Sequence, residues 1–260
     1  MPQHPAILVV PCYNEAQRLD GPAFLAFARA GHARLLFVDD GSRDATGEAL
    51  RGLQAEVSGA IEVLSLEANR GKAEAVRRGL EQALGAGAEI VGYADADLST
   101  PLDEVAHLVE VVERGPAQVA LGSRVARMGA NIVRRPVRHY LGRVFATAAS
   151  WVLGAVVYDT QCGAKCFRAT PALRAAVAAP FLSRWAFDVE LLGRLLAGAP
   201  GVPPLDREAF VEVPLRHWRD VAGSKLRTRA MAGALVDLVR IRRDLRRRAR
   251  VSAVQTAARP

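Results

Sequence analysis

Five short apolar runs in the first half of the chain each end in a polar cluster. This repeated pairing constrains the fold more than any other feature. Ala6–Val10 is followed by Pro11-Cys-Tyr-Asn-Glu15, Leu35–Val38 by Asp39-Asp-Gly-Ser42, and Ile61–Leu66 by Asn69-Arg-Gly-Lys72. Glu89–Tyr93 leads to Asp95-Ala-Asp97, and Val119–Leu121 to Gly122-Ser-Arg124. Between the runs lie segments of helical character: Glu15–Ala30, Thr46–Val57, Gly71–Ala86 and Leu102–Arg114. Short apolar strands alternating with helices predict an α/β fold, with a mainly parallel sheet covered on both faces. Such sheets bind ligands at the carboxyl ends of their strands, which is where all five clusters fall. One cluster alone is an ordinary loop; five at successive strand ends predict a shared site.

The second half is less regular. It reads as one or two apolar helices over Val137–Val157, a strand at Ala164–Arg168 and a helix at Phe187–Leu196. A strand at Phe210–Val213 and a basic helix at Met231–Arg248 follow. No internal repeat or low-complexity linker is visible. The expected organisation is one domain over 1–230, followed by a basic amphipathic helix and tail over 231–260.

Half of the 260 residues are hydrophobic, which supports a full core and excludes global disorder. The net charge of +8 is uneven: Arg240–Pro260 holds eight arginines against one aspartate, so the rest of the chain is nearly neutral. A basic tail suits an anionic partner. It lacks interleaved aromatics, and the body has no basic excess, so no nucleic-acid partner is expected. Ala234, Leu238, Ile241 and Leu245 recur at helical spacing, with Arg240, Arg243, Arg247 and Arg250 on other faces. That pattern predicts a helix resting on an anionic membrane surface; the alternative is a helix packed on the domain with a solvated end. The longest charge-free apolar stretch, Val144–Tyr158, falls short of the roughly 18–20 residues that span a bilayer. Met1–Pro5 is polar and no secretory leader is expected. Cys12, Cys162 and Cys166 are too few and too unevenly placed for a disulfide framework, and read as buried thiols of a reducing compartment.

Asp95 and Asp97 place two carboxylates on one side of an extended segment, which suits Mg²⁺ or Mn²⁺ together with phosphate oxygens. The same residues can also form a capping turn before the next helix. Asp39 and Asp40 can accept hydrogen bonds from a base N–H and ribose hydroxyls, or serve with Ser42 and Asp44 in a helix-capping loop. Asn69-Arg-Gly-Lys72 puts cations and a glycine before a helix, a setting that attracts phosphate, without the spacing of a Walker A loop.

Taken together, these clusters resemble the family 2 glycosyltransferases, which have the Rossmann-like GT-A fold of nucleotide-diphospho-sugar transferases. Further motifs, Asp159-Thr-Gln-Cys-Gly-Ala-Lys-Cys-Phe167, Arg184-Trp-Ala-Phe-Asp-Val-Glu-Leu-Leu192 and Gly223-Ser-Lys-Leu226, resemble those of dolichyl-phosphate β-glucosyltransferases, with dolichol-phosphate mannose synthases next. The resemblance runs from about Ile7 to about Ile241. It implies that Pro11, Tyr13, Glu15 and Asp39 or Asp40 hold the uridine of a nucleotide-sugar donor, with Lys72 toward its phosphates. It implies that Asp95, Ala96 and Asp97 hold the metal and diphosphate. Arg124, Arg219 and Lys225 would face phosphates or the acceptor, while Asp159, Gln161, Trp185 and Asp188 would shape the sugar side. The implied reaction is inverting transfer of a hexose, glucose by the nearer resemblance, from a UDP-sugar to a polyprenyl or dolichyl phosphate. The alternative is a soluble transferase acting on a small hydroxyl acceptor. A phosphate monoester, with a second pKa of about 6, needs little help from a base. A hydroxyl acceptor needs one, and Asp159 or Asp188 is the candidate. A peripheral protein at the cytoplasmic face of the membrane is expected.

Overall fold

The computed structural model describes the backbone of residues 6–133, 136–220 and 228–257; Lys225 and the side chain of Ala234 lie outside the described residues. In chain order the first half contains β1 (Ala6–Cys12), α1 (Gly21–Ala30), β2 (Arg34–Asp39), α2 (Thr46–Glu56), β3 (Ile61–Ser65), α3 (Lys72–Gly85), β4 (Ile90–Tyr93), α4 (Leu102–Arg114) and β5 (Val119–Ser123). There follow β6 (Asn131–Val133), α5 (Pro136–Leu153), β7 (Lys165–Arg168), α6 (Pro171–Val177), α7 (Phe187–Ala197), β8 (Phe210–Pro214), β9 (His217–Arg219) and α8 (Thr228–Ala257).

Seven strands form one sheet in the order β3-β2-β1-β4-β7-β5-β8, and β6 pairs with β9 in a separate ribbon. Along β1, Ala6, Leu8 and Val10 enter the core beneath α1, α2 and α4, while Ile7 and Val9 enter the core beneath α3, α6 and α7. Both faces are covered, so the strand is apolar throughout rather than alternating. Each such fully buried Val or Leu contributes about 1.5–3 kcal/mol relative to exposure.

β7 is antiparallel to both of its neighbours, with Tyr93 and Leu121 each in register with Lys165. Its reversed direction has a functional consequence. Its first residue, not its last, lies at the carboxyl ends of β4 and β5, so the segment from Asp159 to Ala164 is delivered to the same edge as the other clusters.

α1 starts later than the helical character of Glu15–Ala30 predicts. Glu15 instead accepts from the Arg18 and Leu19 N–H groups in a turn, and Asp20 caps the helix through Ala23 with a proline in its first turn. α6, absent from the sequence reading, begins at Thr170-Pro171, and the threonine caps Leu173. The β6–β9 ribbon has three residues per strand, too few to show a period.

The largest correction concerns α8. The stripe of Leu238, Ile241 and Leu245, matched above to a bilayer surface, is closed against α5 and α7 in a third core cluster with Phe145, Ala149, Val152 and Val189. A Cβ at Gly193 of α7 would sit 3.0 Å from Leu245 Cδ2, so the glycine gives Leu245 its seat. The arginines Arg240, Arg243, Arg247 and Arg250 do face outward, as expected. Among the described residues, no helix is long and apolar enough to cross a membrane.

Candidate active site

Three loops interlock at the ends of β1, β2 and β3. Asn14, in the left-handed region at φ 54°, donates its N–H to Ser42 Oγ and accepts from Arg43 N. Glu15 N donates to Thr46 Oγ1. Gly41 has φ 65°, and a Cβ there would lie 2.6 Å from the carbonyl carbon of Ala68, so only glycine fits. Asp39 accepts from Ser42 N at 3.0 Å. Asp40 accepts from Arg70 N and Gly71 N, each at 2.7 Å, and thereby ties the loop after β2 to the start of α3. Burial pushes the Asp40 carboxyl up, and those two N–H groups oppose the shift. Pro11 and Tyr13 sit on the rim of this network, Tyr13 with its ring exposed.

At the end of β4 the chain turns sharply. Leu98 is left-handed at φ 52°, and Asp97 accepts from Ser99 N at 3.0 Å. The carboxylates of Asp95 and Asp97 both lie near enough to Glu15 and Lys72 to act on their charges, while Ala96 is buried in the core, so it can offer a ligand only its backbone. Lys72 at the start of α3 pairs with Asp95. Partial desolvation works against the lysine's charge, but Asp95, Asp188 and Asp97 together raise its pKa. Glu15 completes the acidic group. One of its oxygens meets Arg18 at 2.7 Å, and the other is buried without a hydrogen-bond partner. Burial raises the Glu15 pKa, the nearby Asp97 and Asp95 add to the rise, and Arg18 opposes it.

An orphaned carboxylate oxygen within the field of two further carboxylates leaves negative charge that a hard cation would offset. Among the described residues, no three His, Cys, Asp or Glu side chains stand close enough to hold a metal by themselves. A cation at Asp95 and Asp97 would therefore take its remaining oxygens from water and a diphosphate, as Mg²⁺ usually does.

The sugar side is built on two ion pairs. Arg124, after β5, grips Asp159 side-on, with Nε 2.6 Å from Oδ2 and Nη2 2.7 Å from Oδ1. The Arg124 and Gln161 N–H groups also donate to this carboxylate. Glu212 of β8 holds the backbone beneath it, accepting from Tyr158 N and Asp159 N. The arginine lies over the Trp218 ring at 5.1 Å. Burial acts against its charge, but Asp159 outweighs that effect and raises its pKa above the ordinary arginine value. Gln161 points a buried amide nitrogen, with no protein partner, from the same loop.

In the second pair Lys165 Nζ lies 2.6 Å from Asp188 Oδ1 and 2.6 Å from the Cys162 carbonyl oxygen. The Tyr93 hydroxyl donates to the same Asp188 oxygen. The sequence alone does not single out Lys165, Tyr93 or Glu212. The available signal was a lysine inside an apolar strand, since a buried ammonium requires an anion.

Trp185, half-buried, packs edge-on against Phe145 at 4.9 Å beside the helical layer of α5, α7 and α8. Arg219 of β9 is exposed beside the turn after β4, and its N–H donates to the Ser99 carbonyl. Cys12, Cys162 and Cys166 are free, buried thiols.

The structure thus brings Glu15, Lys72, Asp95, Asp97, Arg124, Asp159, Gln161 and Asp188 to one edge of the sheet. The family model described as Glycosyl transferase family 2 matches residues 7–172. A dolichyl-phosphate beta-glucosyltransferase of Trichomonas vaginalis is 31% identical over 90% of this chain and 69% of its own length. That of Mus musculus is 34% identical over 84% of this chain and 68% of its own. Among solved structures, glucosyl-3-phosphoglycerate synthase from Mycobacterium tuberculosis, in complex with Mn²⁺, UDP and glucosyl-3-phosphoglycerate, superposes with a TM-score of 0.63 at 21% identity, covering 91% of this chain and 79% of that one. The order of strands, the polar clusters at their ends and these matches agree: the chain belongs to glycosyl transferase family 2.

Proposed function

We propose that this enzyme transfers glucose from UDP-glucose to a polyprenyl phosphate, with Mg²⁺ or Mn²⁺ at Asp95 and Asp97. The relatives named for dolichyl-phosphate glucosylation support the acceptor, and the UDP and Mn²⁺ of the solved neighbour support the donor and the metal. One observation from this chain carries the reading. Both candidate bases are already engaged: Asp159 is gripped side-on by Arg124, and Asp188 takes Lys165 and Tyr93 on a single oxygen. Carboxylates so placed hold other groups rather than remove a proton. A phosphate acceptor, largely ionised at pH 7, requires no such removal.

In this reading an acceptor phosphate oxygen attacks the anomeric carbon from the face opposite the nucleotide. The bond to the UDP oxygen breaks and its electron pair leaves with the diphosphate. The metal, when bound, neutralises that leaving charge. Lys72 adds a second positive charge on the same side. Asp159 holds Arg124 and the loop carrying Gln161, whose unpartnered amide donates to a sugar hydroxyl. Arg219 draws the acceptor phosphate to the rim. The test offers UDP-glucose with polyprenyl phosphate, with the matching polyprenol and with small hydroxylated acceptors. Glucosyl-phosphoryl lipid should form from the phosphate alone; turnover of a hydroxyl acceptor without the phosphate would overturn the reading.

We further propose attachment to an anionic membrane at its cytoplasmic face, through a different surface from the stripe buried on α8. Tyr140, Val144 and Trp151 are exposed on α5 at a spacing that shares one face. Val236 and Val239 are exposed on α8 among its outward arginines, and the Arg242 guanidinium lies over the Trp151 ring. Flotation with liposomes should need anionic lipid and weaken with salt. Equal recovery in the soluble fraction with and without anionic liposomes would remove this attachment.

A further inference from the structure

Asp95 is held from two sides in different ways. On one side lies Gly163, in the loop that the reversed strand β7 brings to the site. A Cβ on Gly163 would stand 2.5 Å from Asp95 Cγ and closer still to Oδ2. Gly163 is not among the residues of positive φ, so its backbone conformation does not call for glycine. The requirement comes from the carboxylate, which occupies the space where a side chain would be. On the other side is the Lys72 ammonium, on Asp95 Oδ1. Gly163 leaves the room that Asp95 occupies, and the long, partly exposed lysine meets it there.

This arrangement has a cost for metal binding. A lysine on Asp95 Oδ1 stands where a divalent cation would be ligated, and two positive charges cannot share that oxygen without repulsion. The same lysine heads α3, the helix whose amino end is expected to face the donor phosphates.

We propose that Lys72 is a placeholder cation: it occupies Asp95 when no metal is bound, and moves to the donor diphosphate when metal and donor arrive together. Gly163 keeps Asp95 in position through both states. The inference rests on the assignment of the metal to Asp95 and Asp97. It makes metal and nucleotide bind with mutual assistance, because the nucleotide removes the lysine that opposes the metal. By linkage the metal must assist the nucleotide by the same factor.

Calorimetric titration of Mn²⁺ into the full chain, with and without UDP, tests this without relying on turnover. Lys72→Met should bind Mn²⁺ alone more tightly than the unaltered protein, by about three- to fivefold, the scale of a half-exposed ion pair. It should bind UDP with Mn²⁺ more weakly, so the mutual assistance collapses. Gly163→Ala should weaken Mn²⁺ binding in both conditions, with an unchanged far-ultraviolet circular dichroism spectrum confirming that it folds. Equal or weaker binding of Mn²⁺ alone by Lys72→Met would overturn the placeholder role while leaving the metal site in place. Unchanged Mn²⁺ binding by Asp97→Ala would locate the metal elsewhere and overturn both.

Discussion

Lys165 Nζ and Asp188 Oδ1 stand 2.6 Å apart with both side chains shut off from water, and the Tyr93 hydroxyl donates to the same oxygen. A buried pair of this kind does little for stability as a whole, but losing one partner strands the other charge, at about 3–5 kcal/mol. Lys165→Met should therefore lower the urea midpoint far more than its change in volume warrants. The double variant Lys165→Met/Asp188→Leu should recover a large part of the loss. If the single and double variants unfold alike, the pair is not the source of the effect.

Asp97→Ala should cut transfer by about two to three orders of magnitude, the scale of losing a principal electrostatic contact in a transition state. Its melting curve should match that of the unaltered protein, because Asp97 sits in a turn where, among the described residues, its one hydrogen bond is from Ser99 N. Excess EDTA should reproduce the loss, and added Mn²⁺ should restore the unaltered protein only. Activity surviving either treatment would remove the metal assignment.

UDP should bind more tightly than GDP in the presence of Mn²⁺. Calorimetry with the two diphosphates decides this. Preference for GDP would redirect the donor assignment toward mannosyl transfer.

Arg124→Lys retains the charge and loses the fork that meets both Asp159 oxygens. A hydrogen bond to a charged group is worth about 1.5–3 kcal/mol, so kcat/KM should drop by roughly ten- to a hundredfold. Near-normal kinetics would show that the geometry of the pair, as opposed to its charge, is immaterial.

Asp44 gives a pH signature. The Thr46 hydroxyl above all, joined by the Thr46 and Ala16 N–H groups, holds its carboxyl below the usual aspartate range against the opposing effect of desolvation. A depressed folded-state pKa means that the unfolded chain takes up the proton first. The stabilisation is complete above about pH 4 and fades as pH falls through the lower native value. Asp44→Asn should be less stable than the unaltered protein at pH 7, and the deficit should shrink on acidification toward pH 3. A deficit that does not change with pH would place its cause outside this carboxylate.

The sequence made the donor side of the site legible because each of its parts is local. A short apolar run, a polar cluster and a helix start lie within a dozen residues of each other, as in Ile90–Tyr93, Asp95, Asp97 and Leu102. Pairings between distant segments were not legible. Nothing near Asp188 in the chain announces Lys165, and nothing near Arg124 announces Asp159, so both acids read as candidate bases from the sequence while the fold gives each a cationic partner. The stripe of Leu238, Ile241 and Leu245 failed for a related reason. Its spacing shows that one face of the helix must be covered, but lipid and protein both satisfy that need, and only the apolar faces that α5 and α7 present to α8 decide between them.

The place of β7 also governs the order in which a newly made chain can complete itself. β4 and β5 leave the ribosome well before β7, yet they never touch each other as neighbours; β7 must come between them. Until it does, Ile90–Tyr93 is an apolar strand with one edge unpaired, a template for wrong partners during synthesis. The carboxylates of Asp95 and Asp97 are translated early, but the surface against which Asp95 rests arrives only with Gly163. Slow translation or a stalled chain between Ser123 and Lys165 would thus leave a half-sheet with its acidic turn unsupported, and chaperone demand should peak over that interval of synthesis.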